Sequence, residues 1–339
     1  MSENKKLRVA LIGPGRIATA HLPAIVSASD SATLVAVAGL PHEKERTLDL
    51  ATQYGAERAV HDAEAVILAD DIDAVVLTVP NHVHASLTTA LVENGKHVLI
   101  EKPLATSLAD ADIMIDAARS HDRVLMVGHC RRFFEGAQTA KRSVPDLGRP
   151  LTLSHTLGVF AEHVATEWWK SASNAGGLAL GLNGPHVIDT MLWLIGSRPT
   201  RVYAQTRRLR DLWEGEDEAM MMVEFEDGSL ASGHISLNTR VPVNDRLING
   251  PKGSMRLTDD RNLWLNNTQT VTEELTPYIN GDSSFNNQFR EFVDAIRKGR
   301  VPQSSAEEAR SVVALMEAAH VSQATGQPVD LGAYLTTRT

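Results

Sequence analysis

The sequence is poor in cysteine, in net positive charge and in long apolar runs. Cys130 is the single cysteine among 339 residues, which excludes an internal disulfide framework. The formal net charge of -9 argues against nucleic-acid partners, because their phosphates are bound mainly by Lys and Arg. We find no run of about 18 consecutive apolar residues, so we expect no membrane partner. These absences together predict a soluble, cytoplasmic protein.

What the chain does contain is enough apolar residues, 43% of the total, for about two domains with their own cores. Strand-like and helix-like segments alternate as far as residue 128, a pattern typical of a doubly wound parallel sheet. Strand-like segments then follow one another with turns between them, such as Asp227-Gly228, which predicts an open, largely antiparallel sheet. We therefore predict an α/β protein with an N-terminal domain over 1–128 and a C-terminal domain over 129–339.

A glycine-rich turn follows the first predicted strand and opens the first predicted helix. It reads Gly13, Pro14, Gly15, Arg16, Ile17, Ala18. In a dinucleotide-binding turn, Gly13 would allow the tight bend and Gly15 the close approach of the pyrophosphate, while Ala18 would let helix pack on strand. Such a motif alone also fits an ordinary turn. Its place between a strand and a helix, at the start of a βαβ series, favours the nucleotide.

The second predicted strand ends in Gly39 and Leu40, where NAD-binding proteins usually carry an Asp or Glu for the adenosine ribose. His42, Lys44 and Arg46 follow closely. The missing acid and the nearby positive charges predict a preference for NADP over NAD. The alternative is that these basic side chains begin a helix and face solvent.

The stretch Asp73–Pro103 holds the residue with the clearest chemical potential. It contains a buried strand, an amphipathic helix and a second strand that ends in Glu101, Lys102 and Pro103. Ligands of open α/β sheets bind beyond the carboxyl ends of the strands, where Lys102 would emerge. A lysine at that edge is a candidate for proton transfer, although a solvated strand-end lysine is the structural alternative.

Several segments together resemble the Gfo/Idh/MocA family of glucose-fructose oxidoreductase and inositol dehydrogenase. The resemblance covers about residues 7–331 and rests on these segments: Gly13–His21, Thr78–His84, Gly95–Pro103, Gly176-Gly177 with His186–Asp189, Gly250–Gly253 and Phe292–Pro302. It implies a Rossmann domain that binds NAD(P) and a C-terminal domain that binds substrate and forms a homodimer or homotetramer through its sheet. It also implies hydride transfer between nicotinamide and a hydroxyl or carbonyl carbon of a sugar, inositol or related polyol.

The expected contacts with the cofactor come from the glycine-rich turn, the end of the second predicted strand and the segments of the resemblance. They fall on Gly13, Pro14, Gly15, Arg16, Ile17, Gly39, Leu40, Lys44, Thr78, Val79, Pro80, Asn81, His84, Glu101, Lys102 and Pro103. Lys102 matches the family lysine that contacts the substrate hydroxyl and the nicotinamide. An alcohol loses hydride only as its proton is removed, so such a group is chemically required.

His186 matches the family's second-domain histidine, although an isolated histidine is more often a core or capping residue. Four residues before it the family commonly has Asp or Asn, whereas this sequence has Leu182. Asn183 lies next to it and can hydrogen-bond but cannot act as a base. The sequence leaves three possibilities open: Lys102 and His186 act alone, the loop presents Asn183, or the chemistry differs.

Four further residues are candidates for substrate contact: Arg131, Arg132, Trp169 and Asp189. Each has a plain alternative, namely a solvated charge for the arginines, packing for the tryptophan, and a first-turn helix acid for the aspartate. The histidine and cysteine spacing predicts no metal site, and the expected cofactor is NADP or NAD. Two other functions stay open: a nucleotide-binding regulator without turnover, and an NAD-dependent glycosidase of the same family.

Overall fold

The computed structural model describes residues 5–274 and 282–336. Within them the chain divides into two compact units. The first contains residues 5–105, 110–133 and 282–309, and the second contains residues 106–109, 134–274 and 310–336. Each unit has its own sheet and its own core.

The sheet of the first unit has six strands in the order β3-β2-β1-β4-β5-β6, and every pairing is parallel. The strands are β1 Leu7–Ile12, β2 Ala32–Ala38, β3 Arg58–Val60, β4 Ala74–Leu77, β5 His97–Glu101 and β6 Leu125–Gly128. The helices are α1 Ala18–Ser27, α2 Lys44–Gln53, α3 Glu64–Ile67, α4 His84–Glu93 and α5 Leu108–Ser120. Central strands such as β4 are buried along their whole length, as their continuous apolar sequence requires. The predicted Rossmann sheet is confirmed.

A late helix completes the core of the first unit. Helix α9, Ser283–Lys298, brings Phe285, Phe289 and Phe292 into the same buried cluster as β1 and α1. Asp282 caps it by accepting hydrogen bonds from the backbone of Ser284 and Phe285. The predicted domain boundary at residue 128 stays a prediction. The first compact unit, however, also includes this helix, which lies more than 150 residues after that boundary in the sequence.

The second unit contains a nine-stranded sheet in the order β14-β13-β12-β11-β7-β10-β9-β8-β15. Its strands are β7 Thr152–Phe160, β8 Pro199–Arg207, β9 Glu218–Phe225, β10 Leu230–Ser236, β11 Asn238–Gly250, β12 Gly253–Thr258, β13 Asn262–Leu265, β14 Thr268–Val271 and β15 Val329–Asp330. The pairs are antiparallel except β7 with β10, which is parallel. The prediction of a largely antiparallel sheet is confirmed.

The second unit also contains helices, most of which contribute residues to the buried cluster of its sheet. They are α6 Glu135–Ser143, α7 Ala172–Ala175, α8 Gly184–Ile195, α10 Ala306–Thr325, which begins in the first unit, and α11 Leu331–Thr336. In β9 the side chains of Ala219, Met221 and Val223 join the core, whereas Met220 and Met222 are about 60% exposed, at 59% and 61%. The strand alternation therefore gives the sheet one covered and one open face.

Within the part of the chain that the structure describes, one stretch, Ala172–Ile195, is long and apolar enough to cross a membrane by length and composition alone. It contains α7, a π-helical turn and α8. However, 78% of its most apolar window is buried inside the protein. It is therefore a core helical segment of the second unit, and hydropathy alone does not distinguish the two cases.

Candidate active site

The glycine-rich turn after β1 is held against the turn after β4. Gly13 has a φ of +102°, and a Cβ at this position would lie 2.6 Å from the carbonyl oxygen of Thr78. The Thr78 hydroxyl in turn donates to the carbonyl of Gly13 at 2.7 Å. Only glycine fits there. Gly15, by contrast, is exposed, and an added Cβ would meet no atom within 4 Å, so the turn is open on the side where a pyrophosphate would bind.

The end of β2 has no room for the acid that NAD sites usually carry. A Cβ on Gly39 would lie 2.3 Å from the Thr47 hydroxyl and 2.8 Å from a ring carbon of Pro14. Beyond it, Leu40 and Lys44 are exposed, and the Arg46 Nε donates to the Pro14 carbonyl at 3.4 Å. An exposed guanidinium therefore lies beside the glycine-rich turn. These residues fit a nicotinamide dinucleotide, with positive charge near the adenosine end.

Lys102 follows β5 at the carboxyl edge of the parallel sheet, as expected. Beneath it, the buried carboxylate of Glu101 contacts His21 of α1, with 2.8 Å between Oε1 and Nε2. The second carboxylate oxygen accepts from the Lys102 backbone N–H at 3.2 Å. His21 is 1% exposed, and its ring lies edge-on to Phe285 with centroids 4.9 Å apart. The helix that starts at the glycine-rich turn is thus tied to the residue before the lysine.

The surroundings of Lys102 shift its proton affinity in the direction that proton transfer requires. Burial lowers the pKa of the Lys102 amine from its ordinary value of 10.5, against the opposing charges of Glu101 and Cys130 and with help from Arg131. Burial alone would raise the pKa of Glu101, but the His21 hydrogen bond and the charges of His21 and Lys102 lower it. An ionised carboxylate therefore lies next to an amine that releases its proton more easily than a solvated lysine.

His84 stands at the start of α4 and is completely buried. Its Nδ1 lies 2.9 Å from the Pro103 carbonyl oxygen, and its Nε2 lies 3.1 Å from that of Val79. Burial lowers the pKa of His84, and these carbonyl contacts oppose the shift. Asn81 is also buried, whereas Val79 and Pro80 are half-buried. The ring nitrogens of His84 thus face the protein backbone, and its predicted contact with the cofactor stays a prediction.

In the second unit, a π-helical turn from Ala179 to Asn183 leads into α8. From Leu178 to Met191 the only partly exposed side chains are those of Asn183 and His186. Asn183 is the last residue of the π-turn, and His186 lies three residues later in the first turn of α8. Both partly exposed side chains are therefore at the N-terminal end of α8, and π-turns recur at functional sites.

Leu182 points into an apolar cluster instead. It is 7% exposed and packs in a group with Leu178, Trp213 and Leu237, against which Trp168 and Trp169 are partly buried. The rings of Trp168 and Trp169 are 6.0 Å apart and edge to face. The position that usually carries an acid is thus filled by a packing residue.

The remaining predicted residues occupy different environments. Asp189 is buried on α8, one turn after His186. Arg131 is half-buried in the turn after β6. Arg132 is 3% exposed, pairs with the Glu308 carboxylate and donates to the Gln303 carbonyl at 2.6 Å. Its guanidinium is therefore engaged within the first unit, while its predicted substrate contact stays a prediction.

Two residues with clear positional roles had no role in the sequence interpretation. His21 lies three residues after the last position of the glycine motif, and that spacing was the available signal for it. Glu216 accepts hydrogen bonds from the backbone at the start of the π-turn, and no local pattern marks it. Over residues 5–274 and 282–336, no group of three or more His, Cys, Asp or Glu side chains is arranged to hold a metal ion.

Comparison with known proteins agrees with this arrangement. Residues 7–129 match the model of an oxidoreductase family with an NAD-binding Rossmann fold, and residues 138–256 match the GFO/IDH/MocA C-terminal domain. A 4-carboxy-2-hydroxymuconate-6-semialdehyde dehydrogenase from Sphingobium is 28% identical, with 88% of this chain and 93% of the relative covered. A myo-inositol 2-dehydrogenase from Thermotoga maritima is 26% identical, with 93% and 96% covered.

The solved structure of a levoglucosan dehydrogenase in complex with NADH has a TM-score of 0.87 to this chain at 25% identity. It covers 96% of this chain and 99% of the neighbour. Both domains, their order and their folds are therefore shared over nearly the full length. With its glycine-rich turn, its lysine at the sheet edge and both family domains, the chain belongs to the Gfo/Idh/MocA family of NAD(P)-dependent oxidoreductases.

Proposed function

We propose that this protein transfers a hydride between NADP(H) or NAD(H) and a hydroxyl or carbonyl carbon of a sugar, an inositol or a related polyol. The observation that carries the proposal is Lys102, a lysine of lowered pKa at the carboxyl edge of the sheet that bears the glycine-rich turn. The names of the relatives support the substrate class, since they include an inositol dehydrogenase and an anhydrosugar dehydrogenase. The bound nicotinamide would supply the hydride acceptor or donor.

In this proposal, Lys102 holds and moves the proton of the reacting oxygen. During oxidation its neutral amine takes the hydroxyl proton as the carbon loses hydride, and during reduction its ammonium returns the proton. Glu101 and His21 hold the backbone at the lysine in place from below. General acid–base catalysis of this kind is worth about 10²- to 10⁴-fold in rate.

His186 and Asn183 are proposed to orient the substrate. Their partial exposure at the N-terminal end of α8 supports the pairing, because it supplies an imidazole and an amide three residues apart. An amide donates and accepts hydrogen bonds but does not titrate near neutral pH, so Asn183 fixes a hydroxyl and takes no proton. With Leu182 packed in an apolar cluster with tryptophans, we assign proton transfer to Lys102, and His186 stays a second proposed catalytic residue. Asp189, Arg131, Arg132 and Trp169 remain proposed substrate contacts.

We further propose a preference for NADP over NAD. Gly39 cannot carry a side chain without meeting Thr47 and Pro14, so the ribose-binding acid is excluded from that position. Arg46 beside the turn offers a guanidinium to a 2′-phosphate. Titrating the protein with NADPH and with NADH tests this; tighter binding of NADH would contradict it. Gly13, Gly15, Thr78 and Glu101 belong to the proposed cofactor site in either case.

A cytoplasmic homodimer or homotetramer is also proposed, with the open face of the nine-stranded sheet as the contact surface. Met220 and Met222 of β9 and Tyr203 of β8 are exposed there, and Ser232 of β10 pairs in register with Met222. Large adaptable side chains beside small ones suit the packing of two flat sheets. Sedimentation equilibrium of the wild type and of Met222→Lys tests the surface, because a charge there should weaken the association.

The enzymatic proposal is tested by incubating the protein with NADP or NAD and a panel of inositols, aldoses and anhydrosugars while nicotinamide absorbance is followed. Substrate-dependent formation of the reduced cofactor is expected. Binding of cofactor without any turnover would instead support a nucleotide-binding regulator. Release of an aglycone from glycosides, without net reduction of the cofactor, would support an NAD-dependent glycosidase.

A further inference from the structure

The imidazole of His84 is enclosed by backbone carbonyl groups from two different turns of the first unit. Nδ1 lies 2.9 Å from the oxygen of Pro103 and 3.3 Å from that of Leu104, in the turn after β5. Nε2 lies 3.1 Å from the oxygen of Val79, in the turn after β4. The side chain is 0% exposed. Both ring nitrogens are therefore turned toward protein backbone, with no exposed surface left for another molecule.

Carbonyl oxygens accept hydrogen bonds only, and a neutral imidazole has one N–H to give. Burial favours the neutral ring, because it lowers the pKa of His84 against the opposing carbonyl contacts and the charge of Glu101. The shorter contact and the second carbonyl both lie at Nδ1, so we assign the proton to that nitrogen. The hydrogen bond that results runs from Nδ1–H to the carbonyl of Pro103.

Pro103 is the residue directly after Lys102, so this bond acts on the backbone that carries the proposed proton-transfer group. Glu101 accepts from the Lys102 backbone N–H on the other side. The lysine is thus fixed from both of its neighbours, by a carboxylate before it and an imidazole after it. Such anchoring matters for rate, since displacing a reacting group by about 1 Å can cost about 10²-fold.

We propose that His84 is a positioning residue, which holds the Pro103 carbonyl and thereby aims the Lys102 amine at the reacting oxygen. This inference rests on the proposed function and assigns His84 a task other than contact with the cofactor. The chain offers a matched set of variants, because asparagine and glutamine each imitate one nitrogen of the ring. The amide nitrogen of asparagine can stand where Nδ1 stands, and that of glutamine where Nε2 stands.

The experiment compares His84→Asn, His84→Gln and His84→Leu in the full chain. Circular dichroism and thermal melting establish which variants fold, NADPH titration gives the dissociation constant, and a single turnover gives the rate of hydride transfer per folded enzyme. We expect His84→Leu and His84→Gln to lose about 10²-fold in that rate, and His84→Asn to stay within about tenfold of the wild type. Dissociation constants should change by less than about threefold.

Three results would overturn the inference. A wild-type rate in folded His84→Leu would remove the role, and equal rates in the Asn and Gln variants would remove the assignment to Nδ1. Weaker NADPH binding with an unchanged hydride-transfer rate at saturating NADPH would show that His84 serves cofactor binding instead. If His84→Leu does not fold, the difference in hydride-transfer rate between the Asn and Gln variants still tests the positioning role.

A second readout needs no turnover and so separates this inference from the proposed function. Reductive methylation with isotope-labelled formaldehyde gives an NMR signal for Lys102, identified by its loss in Lys102→Arg, and pH titration of that signal follows its amine. We expect the pKa of the Lys102 amine in His84→Asn to equal that in the wild type. In His84→Gln we expect this pKa to rise toward the ordinary value of 10.5. Identical titration in all variants would contradict the positioning role even in a protein without activity.

Discussion

Glu216 offers a sharp test of how the second unit presents Asn183 and His186. Its carboxylate Oε1 accepts from the backbone N–H groups of Leu178 and Leu180 at 3.0 and 2.8 Å, and its carbonyl accepts from Ala179 at 2.8 Å. These donors open the π-turn that leads into α8, where a helix has no internal acceptors to offer. A negative charge at this end also suits the helix dipole.

Replacing Glu216 with alanine leaves two N–H groups without their acceptor, in a segment where Leu178 and Leu180 are fully buried. Each buried, unsatisfied donor costs about 1–3 kcal/mol, so the free energy of unfolding should fall by about 2–6 kcal/mol. Glu216→Gln keeps one amide oxygen for both donors and should lose less than about 1.5 kcal/mol. The matched pair separates the hydrogen bonds from the packing of the side chain.

The assay is urea denaturation followed by tryptophan fluorescence, with hydride-transfer rates measured below the transition. In Glu216→Ala we expect the KM for substrate to rise while the affinity for NADPH is kept, because Asn183 and His186 depend on this turn and the glycine-rich turn does not. An alanine variant that loses less than about 1 kcal/mol, or a glutamine variant that loses as much as alanine, would refute the reasoning.

Three further outcomes follow from individual contacts. Gly13→Ala should weaken NADPH binding and lower the melting temperature, because its Cβ would lie 2.6 Å from a backbone oxygen, whereas Gly15→Ala should weaken binding alone; equal melting losses would contradict this. For oxidation, kcat/KM should rise with pH as Lys102 loses its proton and level off with a midpoint below 10.5, and a midpoint at or above 10.5 would contradict the lowered pKa. Arg246→Met should lower the free energy of unfolding, measured by urea denaturation, by about 3–5 kcal/mol, because the buried carboxylate of Asp260 would lose its ion-pair partner. The added change Asp260→Asn should restore much of that stability.

The first unit was largely predictable because its signals are local. The glycine-rich turn, the apolar strands and the Glu101-Lys102-Pro103 sequence each sit within a few residues of the structure they specify. Parallel strands bring their carboxyl ends to one edge, so topology alone placed Lys102 on the side of the glycine-rich turn. The absence of an acid after β2 was also visible in the sequence, and in the structure a Cβ on Gly39 would lie within 3.0 Å of Thr47 and Pro14.

The second unit was less predictable at the start of α8, where the sequence did not show which residue before His186 is exposed. Counting four residues back from His186 selected Leu182, which is buried in the structure, whereas Asn183, the last residue of the π-turn, is partly exposed. Helical periodicity assumes 3.6 residues per turn and gives no sign of a π-turn. The possibility raised from the sequence, that the loop presents Asn183, stays a prediction.

Long-range packing was the other feature that could not be predicted from the sequence. The three phenylalanines of α9 recur at helical spacing in the sequence, yet nothing in the sequence indicates that they pack with β1 and α1 of the first unit. The same holds for His21, whose partner Glu101 lies 80 residues away along the chain. Contacts of this kind depend on the finished topology, so they follow from the structure and not from the motif.

The proposed chemistry depends most on Lys102, and one measurement tests the role of its amine directly. Lys102→Met keeps an unbranched side chain as far as the ε position and removes the amine. In a single turnover with saturating NADP and the substrate identified by the panel, its hydride-transfer rate should fall by about 10²- to 10⁴-fold. The dissociation constant for NADPH should stay within about threefold of the wild type. A rate near that of the wild type, in a folded variant that binds NADPH normally, would contradict the central claim.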